Sequence, residues 1–324
     1  MKLRDLDLTA NSVNQQHSVI GIPPLERTVT HAGDHSLLRI ATWLAVFAMV
    51  GVLGFFVASL LAGNGINGAT TLVWEALNSR GFWGAVLVGF IAQVIDGALG
   101  MAYGISSTTF LLALGNSPVV ASASVHIAEV FTTGVSGIAH VKLGNINKSL
   151  FLKLLLPGVL GAMVGAYALS SIDGSIVKPY ISLYLLCMGI YIIRKALLKK
   201  RAQSKPFKHE AKLGFFGGLI DTLGGGGWGP VVTTTLISTS DSPRTIIGTV
   251  NFVEFFLTFA SAIAFSLLIS EAPWVVVGGL VVGGLFAAPF AAILCKHLPT
   301  KTLMLLVGGL IIVISGFNIY QAIA

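Results

Sequence analysis

"IDTLGGGGWGPVVTTT" occupies residues 220–235, four consecutive glycines beside an acid in a chain that is 54% hydrophobic and only 10% charged. Glycine inside a helix costs about 1 kcal/mol relative to alanine. A flexible acidic break of this kind needs a structural reason. The surroundings supply one. Mean hydropathy is +0.86 over 324 residues, too little charge to cover a soluble surface. Apolar blocks recur at Ile40–Ala62, Val119–Val141, Leu150–Ser170, Ile181–Ile193, Pro243–Ile269, Pro273–Cys295 and Thr302–Ala322. A bilayer core takes about 20 apolar residues per helix. The chain therefore reads as an all-α polytopic membrane protein embedded in a lipid bilayer. The shortest block extends back to about Ile176, with Lys178 reaching the interface.

The glycine stretch has a counterpart. With Asp96 set on Asp221, an offset of 125, residues 96–136 lie over residues 221–261 without a gap. The identities include Asp96/Asp221, Gly100/Gly225, Gly104/Gly229, Thr108/Thr233, Pro118/Pro243, Glu129/Glu254, Thr133/Thr258 and Ser136/Ser261. Shared hydrophobicity supplies Leu and Val matches, but not Asp, Ser-Pro, Glu and Thr at one offset. The organisation that follows is a polar disordered tail (1–38), an extra N-terminal transmembrane helix (39–62), a first repeat (82–198), a basic linker (199–206) and a second repeat (207–322).

Charge sets the orientation. Residues 194–212 hold eight Lys or Arg and one Glu, which marks a cytoplasmic loop. Counting spans back and forward from it places the N-terminus in the cytoplasm, the 63–81 loop outside and the C-terminus outside. Arg80 is the minor exception. On this count residues 207–242 begin and end inside, so they form a hairpin, and residues 82–118 form one from outside. The fold class is thus two inverted-topology repeats, each a Gly-tipped broken or re-entrant hairpin plus three transmembrane helices. Two short helices per hairpin fit its length, with tips at Asp96–Gly104 and Asp221–Gly229 near the midplane.

At each tip the second helix begins, so free N–H groups and the positive dipole end face the interior. Glycine lets a ligand reach that backbone directly, which suits an anion. Gly89 and Gly161 read instead as close helix packing. Gly224, Gly226 and Gly229 match G-x-G-x-x-G literally, but no strand or βαβ unit surrounds them and no dinucleotide site follows. Asp96, His126, Glu129, His140, Asp221 and Glu254 all lie in apolar segments, where ionised groups must be paired, wet or neutral. His126, Glu129 and Thr133 share a helix face, as do Asn251, Glu254 and Thr258. Asp96, Glu129, Asp221 and Glu254 either carry protons or brace the tips. His140 reads as bland. Cys187 and Cys295 define no disulfide framework or metal site. His17, His31 and His35 lie in the tail without ligand spacing. No nucleophile–base set, cofactor motif or nucleic-acid surface appears, and the net charge of +7 sits mostly in one loop. No enzyme activity or cofactor is expected.

"IDGALGMAYG", "HIAEVFTTGVSGIAHVKLGN", "IDTLGGGGWGP" and "NFVEFF" resemble the TauE/SafE-type sulfite exporters, the toluenesulfonate uptake permeases, over about residues 82–322. The resemblance implies a permease for small sulfur oxyanions or organosulfonates in a bacterial inner membrane. The family's Gly-rich signature carries over to Gly97, Gly100 and Gly104, and to Gly224, Gly225, Gly226, Gly227 and Gly229. The first tip holds fewer glycines than the second, so the two are not expected to be equivalent.

The candidate substrate site joins these to Tyr103, Ser106, Thr108 and His126, and to Thr133, Trp228, Thr233, Asn251 and Thr258. A small anion would sit between the tips, moved by proton-coupled alternating access. The alternative is a cation or metal-ion transporter using the intramembrane acids and His.

Overall fold

The computed structural model describes Val19 and residues 36–61, 65–99, 101–198, 207–237, 243–269, 273–297 and 299–323. Most of the 1–38 tail, the whole 199–206 linker and Gly100 lie outside the described residues. The described residues form twelve α-helices and one π-helical turn, with no strand among them. In order these are α1 (Ser36–Leu61), α2 (Gly65–Asn78), α3 (Arg80–Leu99), α4 (Tyr103–Ala113), α5 (Pro118–Lys142), α6 (Lys148–Ser171), α7 (Gly174–Leu197) and α8 (Glu210–Gly224). The π turn (Gly229–Thr233) runs into α9 (Thr234–Ile237), followed by α10 (Pro243–Leu268), α11 (Trp274–His297) and α12 (Thr300–Ile323). Six of them, α1, α5, α6, α7, α10 and α12, are long and apolar enough to cross a membrane.

Local chemistry sets the ends. Ser117 accepts the Val120 N–H ahead of Pro118, so α5 starts with a capped first turn and a proline where no donor is needed. Asn147 caps Leu150 at 3.0 Å and Asp173 caps Ser175 at 2.8 Å. The Asp173 cap starts α7 at Gly174, slightly earlier than the apolar pattern alone indicates. The Ser175 hydroxyl and N–H hold the exposed Asp173 carboxyl below its usual range.

Two expectations need correction. Residues 63–81 are not only loop: Gly65–Asn78 is helical, with an apolar side too short to span, as an interfacial helix would be. Nor is the first hairpin built of two short helices: its arms are 20 and 11 residues, whereas in the second the first arm is 15 residues and the π turn leads into one of 4.

The packing follows glycine. α3 lies along α11, where the Leu280 backbone occupies the place of a Gly89 side chain and the Val86 backbone that of a Gly283 side chain. α6 lies along α8 in the same manner, through Gly161 against Phe215 and Gly218 against Gly158. Lipid offers apolar surface as good as leucine, so close backbone approach of this sort is what holds such helices together. α5 packs on α10 and α7 on α12. Phe151 stacks on Phe252 at 5.2 Å between α6 and α10. The perimeter is apolar and exposed, including Trp43, Phe47, Leu160, Leu285 and Val313.

Exchanging the halves (α3 for α8, α5 for α10, α6 for α11, α7 for α12) turns the α3–α11 contact into the α8–α6 contact. It leaves α5–α10 and α7–α12 unchanged. Lys153 meets Glu210 at 3.3 Å, so the starts of α6 and α8 lie at the same end of the molecule.

Candidate functional site

The second tip is a hydrogen-bonded knot centred on Asp221. α8 ends with Gly225 in the left-handed conformation (φ 68°), and the Gly226 N–H returns to the Asp221 carbonyl at 2.7 Å. The Asp221 side chain accepts the Trp228 N–H at 2.8 Å through Oδ1. Its Oδ2 lies 3.1 Å from Nε2 of His126, which is fully buried. The other ring nitrogen of His126 faces the Ser122 carbonyl at 2.8 Å. The Ser122 hydroxyl also lies 3.3 Å from that nitrogen, so both ring nitrogens face oxygens and the imidazole ties α5 to the second tip. The first tip repeats the brace, with Asp96 on the backbone N–H of Tyr103.

The tips touch. Gly226 packs on Gly104 so closely that a side chain on either would enter the other's backbone. Thr108 Oγ1 donates to the Gly225 carbonyl, and the Tyr184 hydroxyl donates to the Gly226 carbonyl at 2.8 Å. No room is left between the tips for an anion at this contact, contrary to the sequence expectation.

The space lies beside it, in a cavity of about 310 Å³. Of the residues singled out in the sequence, Asp96, Tyr103, Gly104, Glu129, Thr133, Asp221, Gly227, Gly229, Asn251 and Glu254 line it. Ser106, Thr108, His126, Thr233 and Thr258 do not, and neither do Gly224, Gly225, Gly226 and Trp228. The physical reasons are specific. His126 is taken up by Asp221, Thr108 by Gly225, and Thr258 by the Phe255 carbonyl at 2.9 Å. Trp228 is wholly buried, its indole N–H on the Val250 carbonyl at 3.2 Å. Gly97 lies in the last turn of α3, and Gly100 falls outside the described residues.

Sequence reasoning missed Gln93, Thr132 and Ser136 in the lining, and set His140 aside. The signal was available: Glu129, Thr133, Ser136 and His140 recur at helical spacing along α5. That stripe runs about 16 Å towards the Lys142 end. Glu254, Asn251 and Ile247 run towards the Pro243 end of α10, and Asn251 reaches Ser136 at 3.1 Å.

In the opposite direction the passage is closed. Ser122 donates to the Thr222 carbonyl at 2.7 Å, and the Thr222 and Ser261 hydroxyls pair at 3.0 Å, all buried. The cavity is therefore one-sided.

Among the described residues, one helix presents a regular N-terminus to it. α4 begins at Tyr103 with no side-chain cap, after Ala102 in the left-handed region (φ 88°). Its first-turn N–H groups at Gly104 and Ile105 have no carbonyl one turn back within the helix. The second arm starts as a π turn containing Pro230, which has no N–H to offer. Two buried oxygens of lining residues, Gln93 Oε1 and Tyr103 Oη, have no hydrogen-bond partner among the described residues. Also among the described residues, no three His, Cys, Asp or Glu side chains gather in a metal-holding arrangement.

Residues 85–317 match the family model described as "Sulfite exporter TauE/SafE". The chain is 44% identical over 237 residues, 70% of its own length and 79% of the relative's, to a probable membrane transporter protein, YtnM, of Bacillus subtilis (strain 168). A second protein of that organism, the probable membrane transporter YunE, is 21% identical over 271 residues, 74% of this chain and 97% of the relative. No solved structure matches.

Proposed function

Because the chain belongs to the sulfite exporter TauE/SafE family, and so is a multi-pass membrane transporter and not an enzyme, we propose that it carries a small oxyanion through the one-sided cavity. Sulfite and organosulfonates are the candidates. Alternating access would open the two ends in turn, with protons moving on the carboxyls.

The observation that carries the anion reading is the uncapped start of α4 beside Gly104, inside the polar cavity. Backbone donors fixed at membrane depth hold an anion without a mobile cation. Thr133, Ser136 and Asn251 add side-chain polarity around it.

The gapless 125-residue offset and the exchange of helix contacts between halves support the inverted-repeat reading. Under that reading the central pairs Asp96/Asp221, Gly104/Gly229 and Glu129/Glu254 all face the cavity. The flanking pairs divide. Thr133, Ser136 and Asn251 face it, while their mates Thr258, Ser261 and His126 are buried. One half-pathway is open and its counterpart shut, as a rocking mechanism requires. With the basic 194–212 loop inside, the open end is cytoplasmic and the C-terminus lies outside an inner membrane.

Four carboxyls in the lining favour a second reading, transport of a cation. Two of the four, Asp96 and Asp221, are engaged by backbone N–H groups instead. A counterflow screen in proteoliposomes decides between them. Exchange of labelled sulfite or a sulfonate, with none of manganese or zinc, is the expected result. Exchange of a metal with indifference to every oxyanion would overturn the anion reading.

A further inference from the structure

We propose that the cavity admits only singly charged oxyanions, and that Glu129 and Glu254 must be protonated for one to enter. The inference rests on the anion-transport reading above and restricts its substrate class by charge.

The titratable groups facing the cavity are Asp96 from α3, Tyr103 from α4, Glu129 and His140 from α5, Asp221 from α8 and Glu254 from α10. Among the described residues, no Lys or Arg lines the cavity. Asp96 and Asp221 are committed to the tip backbone, and Asp221 is also paired with His126 at 3.1 Å. His140 stands at the far end of the stripe, its Nδ1 3.2 Å from the Asn145 amide nitrogen. The Thr132 and Thr133 hydroxyls donate to the Glu129 carbonyl, but neither the Glu129 nor the Glu254 carboxyl has a hydrogen-bond partner among the described residues, although Glu129 is 4% exposed. Glu129 Oε1 lies beside Gly104, at the uncapped start of α4. The carboxyl and the backbone donors thus converge on one place. The unpartnered Tyr103 hydroxyl, on a residue 4% exposed, belongs to the same lining.

The charge restriction follows from desolvation. The cost of removing an ion from water grows as the square of its charge, so a dianion costs about four times as much as a monoanion of the same size. Phosphate- and dicarboxylate-binding sites offset that cost with Lys, Arg or a metal. Here the available groups are N–H dipoles, hydroxyls and protonated carboxyls. Those suffice for one negative charge. An ionised Glu129 beside Gly104 would repel that charge at the site where the donors gather. A protonated one donates a hydrogen bond to an anion oxygen instead. Proton uptake is therefore coupled to anion entry, and the loaded site is closer to neutral than the empty ionised one.

Methanesulfonate and methanedisulfonate test this, because both stay fully ionised across the working pH range and share one head group. Their binding to the purified full-length protein is measured by competition against labelled sulfite and by direct calorimetry. The expected result is that methanesulfonate binds at least about tenfold more tightly than the disulfonate. Its binding should weaken several-fold as pH rises from about 5.5 to about 8.5. Replacing both carboxyls, Glu129→Gln with Glu254→Gln, should flatten that pH dependence. Equal or tighter binding of the disulfonate overturns the charge restriction while leaving the anion reading standing. Methanesulfonate binding that ignores pH in the wild type overturns the protonation requirement. Binding of neither sulfonate and no sulfite overturns the anion reading itself.

Discussion

Gly226 is the residue on which the two tips meet. Its φ of 137° is unfavourable for any side chain, and a Cβ there would enter the Gly104 backbone. Left-handed strain of about 1–2 kcal/mol adds to overpacking of about 1–3 kcal/mol. Gly226→Ala is expected to lower the melting temperature of the detergent-solubilised protein clearly and to abolish transport. Gly309→Ala in α12, where a Cβ meets open space, should leave the melting temperature unchanged or slightly raised. Similar losses for both variants would remove the tip contact from the account. The Asp221–His126 pair makes a second test at this scale. A double-mutant cycle on Asp221→Asn and His126→Gln should show coupling of about 0.5–3 kcal/mol in stability. Additive effects would mean that the 3.1 Å contact contributes no interaction of its own. The sequence made Asp221 visible as an acid at membrane depth, but not its partner. Residues 126 and 221 meet only because α5 crosses behind α8. Reading His126 onto the face of Glu129 by local spacing followed the stripe in the wrong direction. The cavity continues instead through Thr133, Ser136 and His140.

At the scale of elements, α5 and α10 each line the cavity along one half and are buried along the other. Cysteine labelling exposes the difference. Ser136→Cys, on the cavity stripe, should react with a membrane-impermeant thiol reagent added from the cytoplasmic side, in a background lacking Cys187 and Cys295. Ser261→Cys, buried against Thr222, should react slowly until substrate is present, and then from the outside. Labelling of both from one side would contradict alternating access through these two helices. Apolar block length located the long helices within a few residues, because a span is fixed by bilayer thickness. α2 escaped, because its Thr-Thr-Leu-Val-Trp run is too short to be read as a span and too polar on one side to be read as core. The π turn at Gly229–Thr233 was equally invisible. Its geometry depends on Pro230 and on how the tip leaves α8, not on hydrophobic period.

At the scale of the whole molecule, the helix contacts exchange in the way the 125-residue sequence offset would have them do, which supports the proposed inverted repeat. Polar matches carried that signal, since an apolar match between two membrane helices says little. The offset did not reveal that the cavity runs along only one end of α5 and α10, because positions matched in the alignment are buried in one half and line the cavity in the other. Nor did it reveal that the tips touch, with the space for substrate beside them. Under the topology proposed, a reporter fused after Ala324 is active outside the inner membrane, and one placed in the 199–206 linker is active in the cytoplasm. The reverse pattern would invert the assignment of the open end. The central claim is that an oxyanion crosses through this cavity together with protons taken up by Glu129 and Glu254. Simultaneous recording of methanesulfonate flux and lumenal pH in voltage-clamped proteoliposomes tests it most directly. The account predicts anion and proton moving together in the wild type, with proton movement lost when both carboxyls are replaced by Gln. Anion flux with no accompanying proton, unchanged by that double replacement, would contradict it.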